Sequence, residues 1–370
     1  MTTRFHSRPL QGLLLSTALT LLPAAAAADS PNVVTTIKPV HSLVAGVMEG
    51  VGTPFILIDG AASPHGFALK PSQAFLLEGA DAVFWIGHDL ETSLEKPLDT
   101  LAEDAVHVSL MDAPGVELLG RRTGAAFEKH DHDLDHGSGH DEAKHDDHDD
   151  HDHKEAKHDD HDDHDHKEAK HDDHDDHDHK EAKHDVHDDH DHDKHAEGGK
   201  DPHIWLNPGN ARAMVAEISA QLSKLDPENA ATYQKNAARM DTDLKKLSEG
   251  ISAKLSGLNK VPFIVFHDAY HYFEHEFDVE AAGAITLNPE VPASAKRIAE
   301  IKGKITDLNA GCVFAEPQFE SKIVEVVLDG TGAQSSTLDP LGARLENGPQ
   351  LYFELLDNMT ASFATCLSGS

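Results

Sequence analysis

The histidines of this sequence fall into two groups, and imidazole is the commonest protein ligand for zinc. Of the 30 histidines, 21 lie between His130 and His195 and nine are scattered over the rest of the chain. Three of the scattered ones stand where a predicted strand ends or a predicted helix begins: His65 in ASPHGFALKPS, His203 in DPHIWLNP and His267 in FIVFHDAYHYF. Open α/β sheets bind ligands at the carboxyl ends of their strands, so these three are the candidate metal ligands.

A fourth ligand position stays open, because zinc in proteins is usually four-coordinate. Asp339 follows a further predicted strand in STLDPLG and offers a carboxylate, although an Asp-Pro turn is the structural alternative. Glu316, in CVFAEPQF, either supports a ligand from behind or is a structural carboxylate. Other histidines are candidates for an auxiliary metal site or for structural and surface roles: His41, His88, His271 and His275.

A 13-residue unit, HDDHDDHDHKEAK, repeats from His145, His158 and His171, within a stretch from 121 to 199 that has almost no apolar residue. No face of this unit can be buried, so the stretch is predicted to be a disordered insert. Its imidazoles can gather around zinc with lower affinity than a preorganised site, while a solvating acidic linker is the alternative. The predicted accessory zinc ligands share the HxxHxxHxH spacing: His145, His148, His151, His153, His158, His161, His164, His166, His171, His174, His177 and His179.

The acidic balance of the chain excludes one class of partner. The formal net charge is -35, and residues 128–199 hold 30 acidic and 9 basic residues, a net of -21, which leaves -14 for the remainder. Binding of nucleic acid needs clustered lysine and arginine, so nucleic acid is excluded as a partner. A chain this acidic and rich in histidine suits metal cations instead.

The N-terminus has the pattern of a secretory signal peptide. Arg4 and Arg8 precede the apolar run GLLLSTALTLL, and an alanine-rich segment ends at Ala28. The run is too short to cross a bilayer, so we expect cleavage near Ala28 and export to the periplasm. In that oxidising compartment the two cysteines, Cys312 and Cys366, favour one disulfide, and a thiolate metal site is the alternative.

Strand-like and helix-like segments alternate on both sides of the insert, which predicts βαβ units and mostly parallel sheets. Between the two series, about 30 residues carry apolar side chains at helical spacing and predict a helix about 45 Å long. The predicted fold class is α/β, with two lobes, each a mostly parallel sheet flanked by helices, joined by that helix. The predicted segments are a signal peptide at 1–28, an N-terminal lobe at 29–225 with the insert at 121–199, a linker helix at 226–259 and a C-terminal lobe at 260–370.

Five segments in this order, PHGFALKPS, DPHIWLNP, FIVFHDAYHYF, CVFAEPQF and STLDPLG, resemble the metal-specific substrate-binding proteins of bacterial ABC importers, in particular their zinc-specific, ZnuA-type branch. The resemblance covers about residues 33–367 apart from the insert. It implies two lobes joined by one rigid helix, with the metal between them on His65, His203 and His267. A histidine at the third position, where manganese-binding relatives typically have glutamate, points to zinc, which prefers nitrogen ligands more than manganese does.

For the fourth position the resemblance offers an aspartate or a water, and we favour Asp339. Some relatives use a glutamate beside the first histidine, but that neighbour is Pro64 here. The resemblance also implies the disulfide between Cys312 and Cys366. It further implies a monomer that carries Zn²⁺ as cargo to a membrane permease with a cytoplasmic ATPase.

Two other functions compete with that interpretation. In a periplasmic zinc buffer the histidine-rich insert would do the binding, and two complete lobes would then be unexplained. In a zinc hydrolase three histidines would leave one position for a reactive water, but the sequence contains no HExxH motif. We therefore predict that the protein is not an enzyme and that the insert is an accessory that gathers or senses zinc.

Overall fold

The computed structural model describes residues 1–2, 30–122, 127, 199–258, 261–320 and 322–368. The predicted signal peptide and nearly all of the predicted insert, including the accessory histidines from His145 to His179, lie outside these described residues. Within the described part, no helix is both long enough and apolar enough to cross a membrane.

The N-terminal lobe is built on a four-stranded parallel sheet. Its strands are β1 (Val33–Ile37), β2 (Phe55–Ile58), β3 (Ala82–Trp85) and β4 (Val106–Ser109). Its helices are α1 (Lys38–Val47), α2 (Pro71–Glu78), α3 (Glu95–Leu101) and α4 (Pro208–Leu225). The strand order is β2-β1-β3-β4. All five residues of β1 are buried, as expected for a central parallel strand that is covered on both faces.

A single long helix, α5 (Ala230–Leu255), links the first sheet to the second part of the chain. Its 26 residues rise by about 39 Å, and it packs against α1 and α4. The linker helix was predicted to start at 226, where Asp226-Pro227-Glu228 has the pattern of a helix start, but it begins at Ala230. The Asp226 carboxylate accepts hydrogen bonds from the backbone and side-chain amides of Asn229 and from the hydroxyl of Tyr233, so the chain makes a turn before the helix begins.

The C-terminal lobe repeats the architecture of the first. Its strands are β5 (Phe263–His267), β6 (Gly283–Thr286), β7 (Cys312–Ala315) and β8 (Gln334–Thr337). Its helices are α6 (His271–Phe277), α7 (Ala295–Leu308), α8 (Lys322–Leu328) and α9 (Leu351–Leu367). The strands are parallel in the order β6-β5-β7-β8, which matches the order in the first lobe. The predicted α/β class with two parallel-sheet lobes is therefore confirmed.

The predicted disulfide is present in the C-terminal lobe. Cys312, the first residue of β7, is bonded to Cys366 near the end of α9. Both cysteines of the chain are used in this bond, so the thiolate metal site is excluded.

The two lobes are also joined by hydrogen bonds outside α5. In α9, the backbone N–H of Tyr352 donates to the hydroxyl of Ser42 in α1 (3.0 Å), and its own hydroxyl donates to the carbonyl of Trp205 (2.7 Å). The indole of Trp205 in turn donates to the carbonyl of Pro340 (2.8 Å). The buried Lys38 ammonium donates to a backbone carbonyl of the C-terminal lobe (2.7 Å). The lobes therefore share one continuous core.

A buried carboxyl group lies where β1 and β3 end. Glu91 is 0% exposed and accepts hydrogen bonds from the hydroxyl of Thr36 and from the backbone N–H of Gly87 (3.0 Å). Burial raises the pKa of Glu91 to about 7, and the hydrogen bonds oppose that rise only in part. The folded state thus binds a proton at Glu91 more tightly than the unfolded chain does.

This difference predicts a pH-dependent stability. The contribution of Glu91 is fully present below its ordinary pKa, near 4.5, and is lost as the pH rises through about 7. Between pH 5 and 8 the free energy of unfolding of the natural chain should therefore fall by about 2 to 3 kcal/mol relative to Glu91→Gln. Urea unfolding at both pH values checks this, with the exposed Glu103→Gln as the control. Parallel pH profiles for the natural chain and Glu91→Gln would contradict it.

Candidate metal centre

The three predicted ligands come from three separate segments that the fold brings together. His65 lies in the loop between β2 and α2, His203 directly precedes a short 3-10 turn at Ile204–Leu206, and His267 is the last residue of β5. The turn after His203 is fixed by Asn207, whose side chain caps α4 by accepting two backbone hydrogen bonds. Each histidine therefore stands at the carboxyl end of a strand or just before a helix, as predicted.

The imidazole nitrogens converge on one point. One nitrogen from each of His65, His203 and His267 lies within 4.8 Å of the others. The two Nε2 atoms of His65 and His203 are 3.3 Å apart. Zinc–nitrogen bonds of about 2.0–2.1 Å at tetrahedral angles put ligand nitrogens about 3.3 Å apart, so this spacing fits one zinc ion.

Burial keeps two of the three rings neutral. Burial, reinforced by the neighbouring imidazoles, lowers the pKa of His65 to about 2 and holds the pKa of His203 well below its usual value. Burial also lowers the pKa of His267, but the carboxylate of Glu316 outweighs this and the net shift is upward. A neutral imidazole has the free lone pair that a metal ion needs.

Two carboxylates fix the orientation of the two most buried rings. His203 donates from Nδ1 to Asp201 Oδ1 (2.7 Å), and His267 donates from Nδ1 to Glu316 Oε1 (2.7 Å). With Nδ1 protonated, the lone pair lies on Nε2 of each ring, and a metal-bound histidine is supported from behind in this way. Nε2 of His267 is buried and has no hydrogen-bond partner within the described part of the chain, which is the state expected of a ligand atom.

His65 is held differently from the other two. It is half-buried, and among the described residues no carboxylate is hydrogen-bonded to its ring. Its loop approaches the C-terminal lobe beside it, since a Cβ atom built on Gly66 would lie 2.5 Å from the carboxylate of Glu290. The loop of His65 therefore lies against the C-terminal lobe beside the three histidines.

The space between the rings is small and mostly apolar. It measures about 10 Å³, enough for one ion or one water. Its walls include Pro64, Trp205, Phe319, Pro340 and Leu341. A shell of this kind keeps water away and strengthens the bonds that a bound cation makes.

Asp339, the predicted fourth ligand, is not brought into this group. Its Oδ1 accepts hydrogen bonds from Gln318 and from the backbone N–H groups of Leu341 and Gly342, and its Oδ2 accepts from that of Ala343. The carboxylate therefore closes the Asp-Pro turn, which was the structural alternative. Its neighbours Pro340 and Leu341 nevertheless line the cavity, and its role as a ligand stays a prediction.

The other histidines that are described lie apart from the centre. His41 contacts the carbonyl of Pro54 (3.2 Å), and His88 is paired with Glu95 at the surface. His271 lies near Asp201, with Nδ1 at 3.7 Å from Oδ2. Among the described residues, no further group of three metal-binding side chains occurs, and an auxiliary site at these histidines stays a prediction.

Sequence reasoning missed Asp201. It stands two residues before His203 in the DPHIWLNP segment, and its carboxylate also accepts a hydrogen bond from the backbone N–H of His203 (3.0 Å). An aspartate two residues before a candidate ligand is the signal that could have pointed to it. Glu316 was recognised as a candidate from its place after β7, but its hydrogen bond with His267 was not predicted.

Comparisons with known proteins identify a family and individual proteins that are similar to this chain. The model of the ZnuA family, described as the periplasmic component A of a zinc-uptake complex, matches residues 33–366. A curated relative from Brucella suis biovar 1, named high-affinity zinc uptake system protein ZnuA, is 45% identical over 342 residues, which is 92% of this chain and 93% of the relative. A protein of the same name from Haemophilus influenzae is 37% identical over 354 residues, 96% of this chain and 97% of the relative.

Solved structures show the same fold at lower sequence identity. A crystal structure of ZnuA superimposes with a TM-score of 0.66 at 20% identity and covers 92% of this chain and all of that one. The periplasmic zinc binding protein TroA from Treponema pallidum gives a TM-score of 0.65 at 17% identity, with 92% and 99% covered. At these identities the likeness supports the fold alone.

The support of His267 by Glu316 yields a prediction. Glu316→Gln removes the negative charge behind the ring, so zinc affinity at the three histidines should fall by about 10- to 100-fold. A zinc titration against a competing chelator measures this in a variant that lacks residues 130–195, where the accessory histidines do not contribute. Glu325→Gln, exposed on α8, serves as the control. An affinity for Glu316→Gln within twofold of the control would contradict the prediction.

Proposed function

The chain belongs to the ZnuA family of zinc-uptake components, and from that premise we propose that it captures Zn²⁺ between its two lobes and delivers it to the permease of an ABC import system. The observation that carries the proposal is the convergence of His65, His203 and His267, in which the buried Nε2 of His267 has no hydrogen-bond partner among the described residues. Zinc is then the cargo, and the permease with its cytoplasmic ATPase is the partner. The protein acts as a monomer.

The donor set favours zinc over the other common divalent cations. Three nitrogen ligands suit Zn²⁺, whereas Mg²⁺, Ca²⁺ and Mn²⁺ prefer oxygen. The two carboxylates nearest the rings are engaged with Nδ1 atoms, Asp201 through Oδ1 and Glu316 through Oε1. Zinc is also the metal in the names of the curated relatives.

For the fourth position we keep Asp339 as the proposed ligand. Its carboxylate stands on the loop that lines the cavity, but it must exchange backbone hydrogen bonds for a metal bond. A charge-assisted bond to zinc can offset that loss, since hydrogen bonds of a carboxylate are worth about 1.5–3 kcal/mol each at most. A water in the fourth position is the alternative.

The place of action follows from the sequence and from the family. We propose export to the periplasm after cleavage near Ala28, in keeping with the periplasmic description of the family. The proposed segments are the N-terminal lobe at 29–225, the linker helix at 226–259 and the C-terminal lobe at 260–370. Capture and delivery need no bond to be made or broken, so no enzymatic activity is part of the proposal.

The histidine-rich insert is proposed to be an accessory. It gathers or senses zinc through the histidines between His145 and His179, at lower affinity than the three converging ones. The competing function is a zinc buffer that works mainly through the insert. The two functions differ in where the tightest zinc ion binds. A variant that lacks the insert therefore distinguishes between them.

A zinc titration with a competing chelator tests the proposal on three proteins. The full chain should bind one ion tightly and several weakly, and the variant lacking residues 130–195 should keep the tight ion alone. His203→Ala in that shortened variant should lose it, by at least 100-fold in affinity, because one of three ligands and its supported lone pair are gone. His107→Ala, whose ring contacts the carbonyl of Ala102, is the control and should keep the ion.

The same experiment can overturn the proposal. If the shortened variant binds no ion tightly, the insert is the binding site and the zinc-buffer function is correct. If His203→Ala keeps the tight ion, the three converging histidines are not the site.

A further inference from the structure

The two ends of the insert meet in a short strand pair that leads directly into the metal centre. We call residues 119–121 and 199–201 the insert root. Gly120 and Lys200 form an antiparallel bridge, and the backbone N–H of Asp201 donates to the carbonyl of Leu119 (3.0 Å). Asp201, the last residue of the root, is also the acceptor for Nδ1 of His203. The geometry of the root therefore sets the position of the carboxylate that orients this ligand.

One side chain from the C-terminal lobe joins both strands of the root. The hydroxyl of Tyr272, in α6, accepts a hydrogen bond from the backbone N–H of Leu119 (3.0 Å) and donates one to the carbonyl of Asp201 (2.8 Å). The ring of Tyr272 is 1% exposed, so its hydroxyl is fixed in place by packing. The same chain segment begins with His267, the ligand at the end of β5.

We propose that Tyr272 is a positioning residue for the metal centre: its hydroxyl fixes Asp201, and through Asp201 it fixes the ring of His203 relative to His267. The proposal rests on the proposed function, in which these histidines bind zinc. The backbone N–H of Asp201 donates to the carbonyl of Leu119, and the backbone carbonyl of Asp201 accepts from Tyr272. Both hydrogen bonds are therefore made by a residue of the root.

Two neighbours also tie this region to α6, but among the described residues neither makes a hydrogen bond to Asp201. Arg122, which follows the root, pairs with Asp268 and with Glu274 in α6. Nδ1 of His271 is 3.7 Å from the second carboxylate oxygen of Asp201, which is beyond hydrogen-bond distance, and it has no hydrogen-bond partner within the described residues. Arg121 binds the carbonyl of Lys200 and the backbone and side chain of Asp89, so it holds the other end of the root. Loss of the Tyr272 hydroxyl would remove the hydrogen bond between the backbone of Asp201 and α6.

A purely structural role is the alternative, and the chain offers a matched control for it. The ring of Tyr233 is fully buried and its hydroxyl donates to Asp226 (2.7 Å) at the start of α5. Neither Tyr233 nor Asp226 contacts the three histidines. Tyr233→Phe and Tyr272→Phe each delete one buried hydroxyl and keep the ring, so a difference in zinc affinity between them reports on position and not on packing.

The test is a zinc titration of the full chain against a chelator strong enough to compete for the tightest ion. Tyr272→Phe should weaken zinc binding by about three- to tenfold, and Tyr233→Phe should stay within twofold of the natural chain, with urea unfolding run on both. In an Asp201→Ala background, Tyr272→Phe should have less than a twofold further effect, because the carboxylate that it positions behind His203 is gone while the backbone carbonyl stays. Equal affinities for the two tyrosine variants, or independent losses in the double variant, would overturn the proposal.

Two further results distinguish the role of Tyr272 from the proposed function and from a failure to fold. If the natural chain binds no zinc ion tightly, both the proposed function and the role of Tyr272 are wrong. If it binds one ion tightly and Tyr272→Phe does not change that affinity, only the role of Tyr272 is wrong. If Tyr272→Phe does not fold, hydrogen exchange of the natural chain decides. Zinc should slow amide exchange at Leu119 and Asp201 more than at Asn229, and equal slowing would overturn the proposal.

Discussion

The removal of three imidazole rings from water is the constraint on which the rest of this structure depends. Burial lowers the pKa of His65 and His203, so both stay neutral and keep a lone pair. A buried nitrogen without a partner costs about 1–3 kcal/mol, which the fold must offset through packing elsewhere. The two carboxylates behind His203 and His267 settle which nitrogen carries the proton, and thus which one faces the centre. A cation that arrives there meets two rings that are already neutral, His65 and His203, and two that are already oriented, His203 and His267.

The fold satisfies this constraint by using one sheet arrangement twice. Both sheets have the same strand order; His65 lies in the loop after β2, and His267 is the last residue of β5. His203, the third predicted ligand, follows no strand and is positioned differently. Its segment lies in the N-terminal lobe and is held by the C-terminal lobe, because the indole of Trp205 donates to the carbonyl of Pro340 and the carbonyl of Trp205 accepts from the hydroxyl of Tyr352. Side chains from both lobes thus form one rigid setting for a centre that belongs to neither alone.

The sequence predicts the lobes and the three histidines because these depend on local signals. Runs such as VVTTI and FIVFH are apolar and β-branched, and a histidine at the end of such a run is visible in one dimension. The role of Asp201 depends on contacts between residues that are distant in sequence, such as Tyr272, and no local pattern encodes them. The start of α5 was misplaced for a related reason: Asp-Pro-Glu resembles a helix start, but Asp226 bonds to Asn229 and delays it. The sequence around Asp339 is compatible with a metal ligand and with an Asp-Pro turn. The backbone N–H groups that follow it in the fold determine which contacts its carboxylate makes.

The fold holds the two ends of the insert close together. Its ends are tied by the bridge between Gly120 and Lys200, so the distance that the inserted chain must close is fixed whatever its length. For a flexible loop, as the composition predicts here, closure entropy grows only with the logarithm of length, and one more 13-residue unit added to the 76 residues between Arg122 and Gly199 costs about 0.1 kcal/mol. Repeats can therefore be gained or lost almost without effect on stability. Asp201 is bonded to Leu119, Tyr272 and His203, none of which lies in the inserted segment, so a change in the number of repeats leaves these bonds in place.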